Sequence, residues 1–199
     1  MKRSKMKLVV ASNNAKKRKE IAAILGLLGI ELIDAEQTVF IDVIEDADTF
    51  AGNAQIKAEA FARVNNCPAI ADDSGLCVDA LNGAPGVYSA RFAGESATDA
   101  DNNRKLLAEL KNNPNRSAHF VCALHLAWPD SDKALKAQGS VAGHMLEQPS
   151  GNSGFGYDPL FFCPELGKAF ADATAEEKSS ISHRGRALRQ LANQLKMKS

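Results

Sequence analysis

Two adjacent carboxylates, Asp72 and Asp73, end a short apolar run that opens after Pro68. Such a run predicts a buried strand whose polar residues emerge at a sheet edge or in a cleft. Neighbouring carboxylates repel each other, so a cation between them is expected, and Mg²⁺ with a phosphate-bearing substrate suits such a pair. Because Ser74 and Gly75 follow, the segment also suits an ordinary turn. These residues by themselves leave both interpretations open.

A second candidate site lies at residues 12–17, where the sequence Ser-Asn-Asn-Ala-Lys-Lys follows the apolar run of residues 8–11. Apolar residues spaced at i, i+3, i+4 and i+7 predict a helix that ends near Leu28 and is capped by one of the first three polar residues. The free amides and positive dipole end of such a helix favour an anion. Cations normally avoid a helix start, so the basic residues 16–19 indicate either a bound polyphosphate or a solvated basic face.

Two clusters near the C-terminus also carry candidate chemistry. Residues 151–159 place aromatics among glycines, which favours a flat ligand stacked on an aromatic face, and the alternative is a tight turn with two core aromatics. In residues 177–186, a last helix is expected to begin after a capping serine. Lys178, His183 and Arg184 then gather around its N-terminus, and cations at that end indicate an anionic or electron-rich partner.

Helices and strands are expected to position these residues. Thr49 is the predicted cap of a helix over residues 50–65. The three carboxylates of residues 45–48 before it either complement the helix dipole or place a second acid opposite Asp73. Residues 31–44 are expected to carry one or two strands.

The later elements follow from turn residues and periodicity. Residues 82–92 are too rich in glycine and proline to predict regular structure, whereas a capping sequence at Thr98 predicts a helix after it. Strict alternation over residues 118–128 predicts the clearest strand of the chain. Residues 133–146 are expected to return antiparallel, which makes the predicted α/β sheet mixed.

Composition excludes several classes of protein. Lys plus Arg and Asp plus Glu both count 24 among 199 residues, so no global charge attracts nucleic acid or a membrane surface. The apolar run of residues 8–11 is shorter than the roughly 7 residues of a signal peptide. Residues 21–30 fall short of the about 20 that a membrane span needs. We therefore expect a soluble, cytoplasmic protein with neither a nucleic-acid nor a membrane partner.

The cysteines and two histidines are interpreted as structural. The four cysteines have neither CxxC nor zinc spacing, which predicts reduced thiols in a reducing compartment. His119 and His125 lie on the less apolar face of the predicted strand over residues 118–128.

Six spaced segments resemble, in order, the Ham1-like inosine triphosphate pyrophosphatases, the bacterial dITP/XTP pyrophosphatases, over almost the whole chain. The segments are Ser-Asn-Asn-Ala-Lys-Lys at 12–17, Thr-Phe at 49–50 with Asn-Ala at 53–54, Ala-Asp-Asp-Ser-Gly-Leu at 71–76, Gly-Ala-Pro-Gly-Val-Tyr-Ser-Ala-Arg at 83–91, Gly-Phe-Gly-Tyr-Asp-Pro at 154–159, and Glu-Lys-Ser at 177–179 with Ser-His-Arg-Gly at 182–185.

This resemblance implies a single domain over residues 1–199, with two lobes around a long, bent mixed sheet flanked by helices. The active site is then expected in the cleft between the lobes, in a homodimer. The implied reaction is hydrolysis of non-standard purine nucleoside triphosphates (ITP, dITP, XTP and dXTP) to the monophosphate and pyrophosphate, with Mg²⁺. Such an activity cleanses the nucleotide pool before incorporation into DNA or RNA.

The resemblance also implies a role for each matching residue. Glu45 and Asp73 would hold the metal, and Asp73 would also be the proton acceptor. The substrate-binding residues would be Ser12, Asn13, Asn14, Ala15, Lys16, Lys17, Lys57, Ser74, Phe155, Gly156, Tyr157, Asp158, Lys178, His183 and Arg184. Those of residues 12–17 would hold the triphosphate, with Lys57 as a further phosphate contact, and those from Phe155 onward would surround the base and sugar.

Some residues depart from the family pattern. Ser12 and Asn13 stand where Thr-Gly is usual, Ala47 where Gly is usual, and Gly52 where bacterial members often have Glu. Ser12 keeps a hydroxyl, and Asn tolerates left-handed backbone better than most residues. The change at Gly52 removes one acid from the neighbourhood of the implied metal.

Two other functions fit parts of the sequence. One is a related pyrophosphatase that acts on modified pyrimidine nucleotides. The other is a nucleotide-sensing or RNA-binding module that holds a triphosphate without cleaving it, although zero net charge and paired carboxylates argue against RNA. Assaying pyrophosphate release from both nucleotide pools distinguishes the three.

Overall fold

The computed structural model describes residues 6–27 and 29–197, so Leu28, the predicted end of the first helix, lies outside the described residues. The strands of the described chain are β1 (Lys7–Val10), β2 (Glu31–Leu32), β3 (Ala69–Val78), β4 (Ser117–Ala127), β5 (Ala134–Met145), β6 (Phe161–Cys163) and β7 (Lys168–Ala169). The α-helices are α1 (Ala15–Leu27), α2 (Phe50–Asn65), α3 (Asp99–Glu109), α4 (Ala175–Ile181) and α5 (His183–Met197).

The strands form a mixed sheet in the order β2-β1-β3-β4-β5-β6-β7. β1 pairs in parallel with β2 and with β3, whereas β6 pairs antiparallel with β5 and with β7. The prediction of a mixed α/β sheet flanked by helices is therefore confirmed.

The chain divides into two compact units. Unit 1 comprises the described residues of Met1–Asp73, Cys122–Gly139 and Arg184–Ser199, and unit 2 comprises Ser74–Val121 and Ser140–His183. Their boundaries fall within β3 and β4, in β5, and at the start of α5. That residues 1–199 form a single domain stays a prediction, as does the position of the active site in a cleft.

Unit 1 has an apolar core on each face of its strands, and unit 2 has a single large cluster. In unit 1, residues of α1 and α5 pack with one face of β4, and residues of α2 pack with the other. In unit 2, Leu106 of α3 packs with a group of phenylalanines from β4, β6 and the turn after β7. Among the helices of the described chain, none combines the length and apolar character that crossing a membrane requires.

Helix starts agree with the predicted caps. The Thr49 hydroxyl accepts from the Gly52 amide at 3.1 Å, and α2 ends at Asn65 as expected. Thr98 and Asp101 form a reciprocal capping box at α3. A second capping box, between Thr174 and Glu177, begins α4.

Three parts of the chain differ from the sequence-based expectations. The expectation of no regular structure in residues 82–92 was wrong, because Gly86–Arg91 is a 3₁₀-helix. Residues 31–44 contribute only the two-residue strand β2 and a 3₁₀ turn at Ala35–Gln37. The helix α4 and the β6-β7 pairing were not predicted; the Thr174-x-x-Glu177 pattern is the local signal that would have found α4.

Candidate active site

The polar turn before α1 is closed by its own side chains. Of the three candidate caps, Asn14 is the one observed: its Oδ1 accepts from the amides of Lys16 and Lys17 at 3.0 and 3.2 Å. The buried Ser12 Oγ accepts from the Asn14 amide at 3.2 Å. No acidic residue lies in the first turn of α1, so the charged side chains at the positive end of the helix dipole are all basic.

Asn13 does not need the backbone conformation that favours glycine. The non-glycine residues with positive φ in the described chain are Asn66, Asn82, Asn112 and Asp130. The turn of residues 12–14 therefore accepts asparagine in place of the usual glycine without strain of that kind.

Asp72 is a buried carboxylate held by two cations. Its Oδ2 accepts from Arg184 Nη2 at 2.9 Å and Nε at 3.2 Å, and Lys17 Nζ lies 3.3 Å from the same oxygen. Burial of this 1% exposed residue opposes ionisation, but Lys17 and Arg184 hold the pKa of the Asp72 carboxyl well below its ordinary value. Asp72 is therefore a fixed anion that positions two basic side chains.

Asp73 has the opposite environment, because successive side chains of a strand point to opposite faces. Its Oδ2 accepts from the neutral amide of Asn53 at 3.1 Å. Burial raises the pKa of the Asp73 carboxyl and outweighs the attraction of Lys17 and Lys57, so the pKa lies above its ordinary value. The two adjacent acids thus have opposite pKa shifts because their neighbours differ.

One face of α2 holds the remaining predicted metal ligand. Asn53 is buried, and its Oδ1 accepts from the Ala47 amide at 2.9 Å while its Nδ2 donates to Asp73. One turn later on α2, Lys57 Nζ lies 2.7 Å from Glu45 Oε2. Asn53 therefore connects the segment before α2 to Asp73, and Lys57 contacts Glu45 in the same segment.

The two departures from the family pattern near α2 lie against each other. A Cβ added at Gly52 would be 2.7 Å from the Ala47 Cβ and 3.1 Å from Thr49 Oγ1. The methyl group of Ala47 therefore fills the space that a side chain at position 52 would need. Within the described residues, no group of three or more His, Cys, Asp or Glu side chains gathers to hold a metal ion.

In unit 2, a buried ion pair lies under an aromatic ring. Asp158 Oδ2 accepts from Lys178 Nζ at 2.6 Å and from the Phe155 amide at 2.8 Å. The same ammonium lies 4.9 Å from the centroid of the Phe155 ring. Asp158 thus orients both the backbone that carries Phe155 and the cation beneath its ring.

The backbone of Gly156 is held from the other side by α3. Its amide donates to Asp99 Oδ2 at 2.8 Å, and its carbonyl accepts from Asn103 Nδ2 at 2.9 Å. Asp99 and Asn103 are four residues apart and so lie on the same face of the helix. The loop that carries the Phe155 ring is therefore fixed at consecutive residues, at Phe155 by Asp158 of the same loop and at Gly156 by α3.

Tyr157 and His183 lie in the interior of unit 2. The Tyr157 hydroxyl donates to the Ser89 carbonyl at 2.9 Å, and burial raises the pKa of this phenol above its ordinary value. The His183 ring stacks on Phe120, with 4.8 Å between centroids. Ser74 follows Asp73 in β3 and is partly buried.

Comparison with known proteins identifies the family of this chain. The sequence model of the Ham1 family matches residues 8–194. The chain belongs to the Ham1 family. A relative from Clostridium perfringens named dITP/XTP pyrophosphatase is 48% identical over 96% of this chain and 97% of its own. One of the same name from Escherichia coli strain K12 is 46% identical over 96% and 98%.

Solved structures of the Ham1 family are similar in fold over nearly the whole chain. The Ham1 protein of Staphylococcus aureus is 41% identical, with a TM-score of 0.86 over 97% of this chain and 100% of its own. The Ham1 protein of Coxiella burnetii is 40% identical, with a TM-score of 0.88 over 96% and 99%. The resemblance and the fold expected from it are confirmed.

The structure groups the site residues that the Ham1 resemblance implies into two sets, and their roles stay predictions. In unit 1 lie residues 12–17, Glu45, Lys57, Asp73 and Arg184, and in unit 2 lie Ser74, residues 155–158, Lys178 and His183. Arg184, expected at the base, is 2% exposed and binds Asp72 and Glu20. Its observed contacts therefore favour a positioning role within unit 1.

Sequence reasoning gave no role to several side chains that organise the site. These are Glu20, Asn53, Asp99 and Asn103. Asp72 was expected to share a cation with Asp73, and its observed partners are instead Arg184 and Lys17. Asn53 belongs to one of the segments that match the Ham1 family, and this match was the signal in the sequence that could have identified it as a site residue. The contacts of Glu20 and Asn103 join positions far apart in sequence, and no local pattern indicates them.

Proposed function

We propose that this protein hydrolyses the triphosphates of non-standard purine nucleosides, ITP, dITP, XTP and dXTP, to the monophosphate and pyrophosphate. The observation that carries the proposal is the acidic pair of β3: one carboxylate is engaged by Arg184 and Lys17, and its neighbour accepts from the neutral amide of Asn53. The names of the similar bacterial proteins support the same reaction.

The start of α1 is proposed to bind the triphosphate. Asn14 orders the turn by accepting from the Lys16 and Lys17 amides, the positive end of the helix dipole lies at the same place, and the side chains of Lys16 and Lys17 add charge. Because Asp72 holds the Lys17 ammonium, that charge is fixed before substrate binds. Fixed donors of this kind stabilise charge that develops in a phosphoryl transition state.

Glu45 and Asp73 fit a divalent cation of the Mg²⁺ class. Both supply carboxylate oxygens, and the ammonium of Lys57 already lies against Glu45 as a positive charge. Mg²⁺ is commonly held by one or two carboxylates together with substrate phosphates, so a third protein acid is not required. When bound, the cation would neutralise phosphate charge.

Asp73 is proposed to accept the proton of the attacking water. Asp72 is a poor alternative because its oxygen is already shared by Arg184 and Lys17, whereas Asp73 accepts from an uncharged donor. Attack at the α-phosphorus then makes pyrophosphate the leaving group, in agreement with the proposed products.

Unit 2 is proposed to recognise the base. The Phe155 ring offers a stacking face, and Lys178 and His183 are rich in donors. Hypoxanthine and xanthine carry a carbonyl at position 6, where adenine carries an amino group that would leave such donors unpaired. The cost of leaving buried donors unpaired distinguishes adenine from hypoxanthine and xanthine more strongly than stacking does, because every base can stack.

Three broader features follow from the same proposal. We assign the activity to the cytoplasmic nucleotide pool, to a homodimer, and to residues 1–199 acting as one domain. Sedimentation equilibrium of the purified protein tests the homodimer, and a monomer at micromolar concentration would contradict it.

The deciding experiment is a panel of triphosphates assayed for pyrophosphate and for phosphate, each with Mg²⁺ and with EDTA. The panel contains ITP, dITP, XTP, GTP, ATP and a modified pyrimidine triphosphate. We expect pyrophosphate from ITP, dITP and XTP, with kcat/KM about 10²-fold or more above that of ATP. Release of phosphate instead, equal use of ATP, or a preference for the pyrimidine would each contradict the proposal, and binding without cleavage would indicate a sensor.

A further inference from the structure

Lys57 is bound to a carboxylate that the proposed function assigns to the metal. Its ammonium lies 2.7 Å from Glu45 Oε2, and only 12% of its side chain is exposed. Attraction between charges is stronger at such a partly covered position than in open solvent. The Lys57–Glu45 pair is therefore a defined feature of the structure.

The helix α2 also links the segment that carries Glu45 to Asp73. Asn53, one turn before Lys57, ties the Ala47 amide to Asp73 and so holds the segment that carries Glu45 near the end of the acidic pair. Through Lys57 and Asn53, one helical turn apart, α2 therefore contacts both proposed metal ligands within unit 1.

A carboxylate that would bind a cation is stabilised by another positive charge while the cation is not bound. We propose that Lys57 supplies that charge in the metal-free protein and leaves Glu45 when a divalent cation binds. The released ammonium is then available to the phosphates of the substrate. The inference rests on the proposed function for the identity of the two metal ligands.

This exchange makes binding of the cation and the triphosphate cooperative. A divalent cation alone must separate Lys57 from Glu45 and leave the ammonium without an anion. A cation that arrives with a triphosphate separates the same pair but gives Lys57 a new anionic partner. The two ligands therefore favour each other's binding, and by linkage the effect is the same in both directions.

The test measures Mn²⁺ affinity by EPR titration in the absence of nucleotide. We expect Lys57→Met to bind Mn²⁺ about tenfold or more tightly than wild type, because no ammonium competes for Glu45. Lys57→Arg keeps the charge and is expected to bind as weakly as wild type. Lys19→Met removes an exposed charge from α1 and is the matched control for a diffuse electrostatic effect.

A second measurement repeats the titration with α,β-methylene ITP, which cannot release pyrophosphate. The analogue is expected to tighten Mn²⁺ binding in wild type by a larger factor than in Lys57→Met. In the double variant Lys57→Met/Glu45→Gln, the gain in Mn²⁺ affinity should disappear. Circular dichroism establishes that each variant is folded, and Lys57→Gln replaces Lys57→Met if the latter is not.

The inference is overturned if a folded Lys57→Met or Lys57→Gln protein binds Mn²⁺ no more tightly than wild type. The Lys57–Glu45 pair would then be structural only. The same holds if Lys19→Met gains as much affinity as Lys57→Met. Failure of the proposed function is a separate result, because it is seen as absent pyrophosphate in the substrate panel whatever the Mn²⁺ affinities are.

Discussion

At the scale of single residues, β3 gives two neighbouring carboxylates different chemistry by placing them on opposite faces. Asp72 contacts a guanidinium and an ammonium, whereas Asp73 contacts an amide. The two cations on its Oδ2 make Asp72 a poor proton acceptor. The difference in observed contacts follows from the pleat of the strand.

Replacing Asp73 by Asn should lower kcat by about 10²- to 10⁴-fold, because the amide is neither basic nor anionic. The fold should persist, since an asparagine oxygen can still accept from Asn53. The measurement is steady-state release of pyrophosphate from ITP, with thermal melting as the check on folding. A rate near that of wild type would move the base elsewhere.

Comparing Lys17 with Lys19 distinguishes the effect of a charge in a defined position from a diffuse electrostatic effect. Lys17 is anchored by Asp72 at 3.3 Å, whereas Lys19 is exposed on the same helix. We expect Lys17→Ala to raise KM and lower kcat together, because a cation at the phosphates aids both binding and the developing charge. Lys19→Ala should change either constant by less than about twofold. Equal effects of the two substitutions on kcat/KM would show that the basic run acts only as a general field.

At the scale of elements, the start of α2 contains a steric coupling between Ala47 and Gly52. Gly52 lies in the first turn of the helix, where alanine would normally be more stable by up to about 1 kcal/mol. The Ala47 methyl occupies the required space, at 2.7 Å from the added Cβ. We therefore expect Gly52→Ala alone to be destabilising.

The same substitution should be stabilising in an Ala47→Gly background. A double-mutant cycle from urea unfolding should give a coupling free energy of about 0.5–3 kcal/mol between the two positions. Additive effects would mean that the segment before α2 moves aside at no cost.

The helix α3 acts on the loop that carries Phe155 through the backbone of Gly156. Asn103→Leu keeps the size of the side chain but removes its hydrogen bond to the Gly156 carbonyl. We expect KM for ITP to rise about five- to tenfold, in proportion to one lost hydrogen bond, with a smaller change in kcat. Arg104→Leu, at an exposed position on the same helix, is the matched control and should leave KM unchanged.

At the scale of the whole molecule, we expect His125 to make the free energy of unfolding depend on pH. It is 2% exposed in β4, and its Nε2 has no hydrogen-bond partner within the described part of the chain. Burial and the charge of Lys136 on β5 lower its pKa below the ordinary 6.5, against a smaller opposing effect of Glu59 on α2. Between the two pKa values the unfolded chain binds a proton that the folded chain does not.

The free energy of unfolding should therefore fall as the pH drops below 6.5, with a contribution from His125 of at most about 1.4 kcal/mol per pH unit. His125→Gln should flatten this part of the profile, measured by urea unfolding between pH 7.5 and 5. His119→Gln, on the more exposed histidine of the same strand, is the control and should retain the slope. Identical slopes in wild type and His125→Gln would contradict the assignment.

The sequence by itself determined the elements whose signals are local. Thr49 and Thr98 cap the helices predicted from them, and alternation over residues 118–128 marks β4, because hydrogen bonds within a few residues and the period of a strand do not depend on distant parts of the chain. The spaced motifs likewise indicated the family, which the comparisons confirmed.

Only the tertiary structure decided which charged groups meet. Arg184 pairs with Asp72 across 112 residues of sequence, and Asn53 reaches Asp73 across 20. Such contacts depend on how strands and helices pack, and an arginine that in sequence favours an anionic ligand can instead be satisfied by a buried carboxylate. The environments that distinguish Asp72 from Asp73 arise from that packing, because burial and neighbouring charge, not residue type, set the pKa of a carboxyl group.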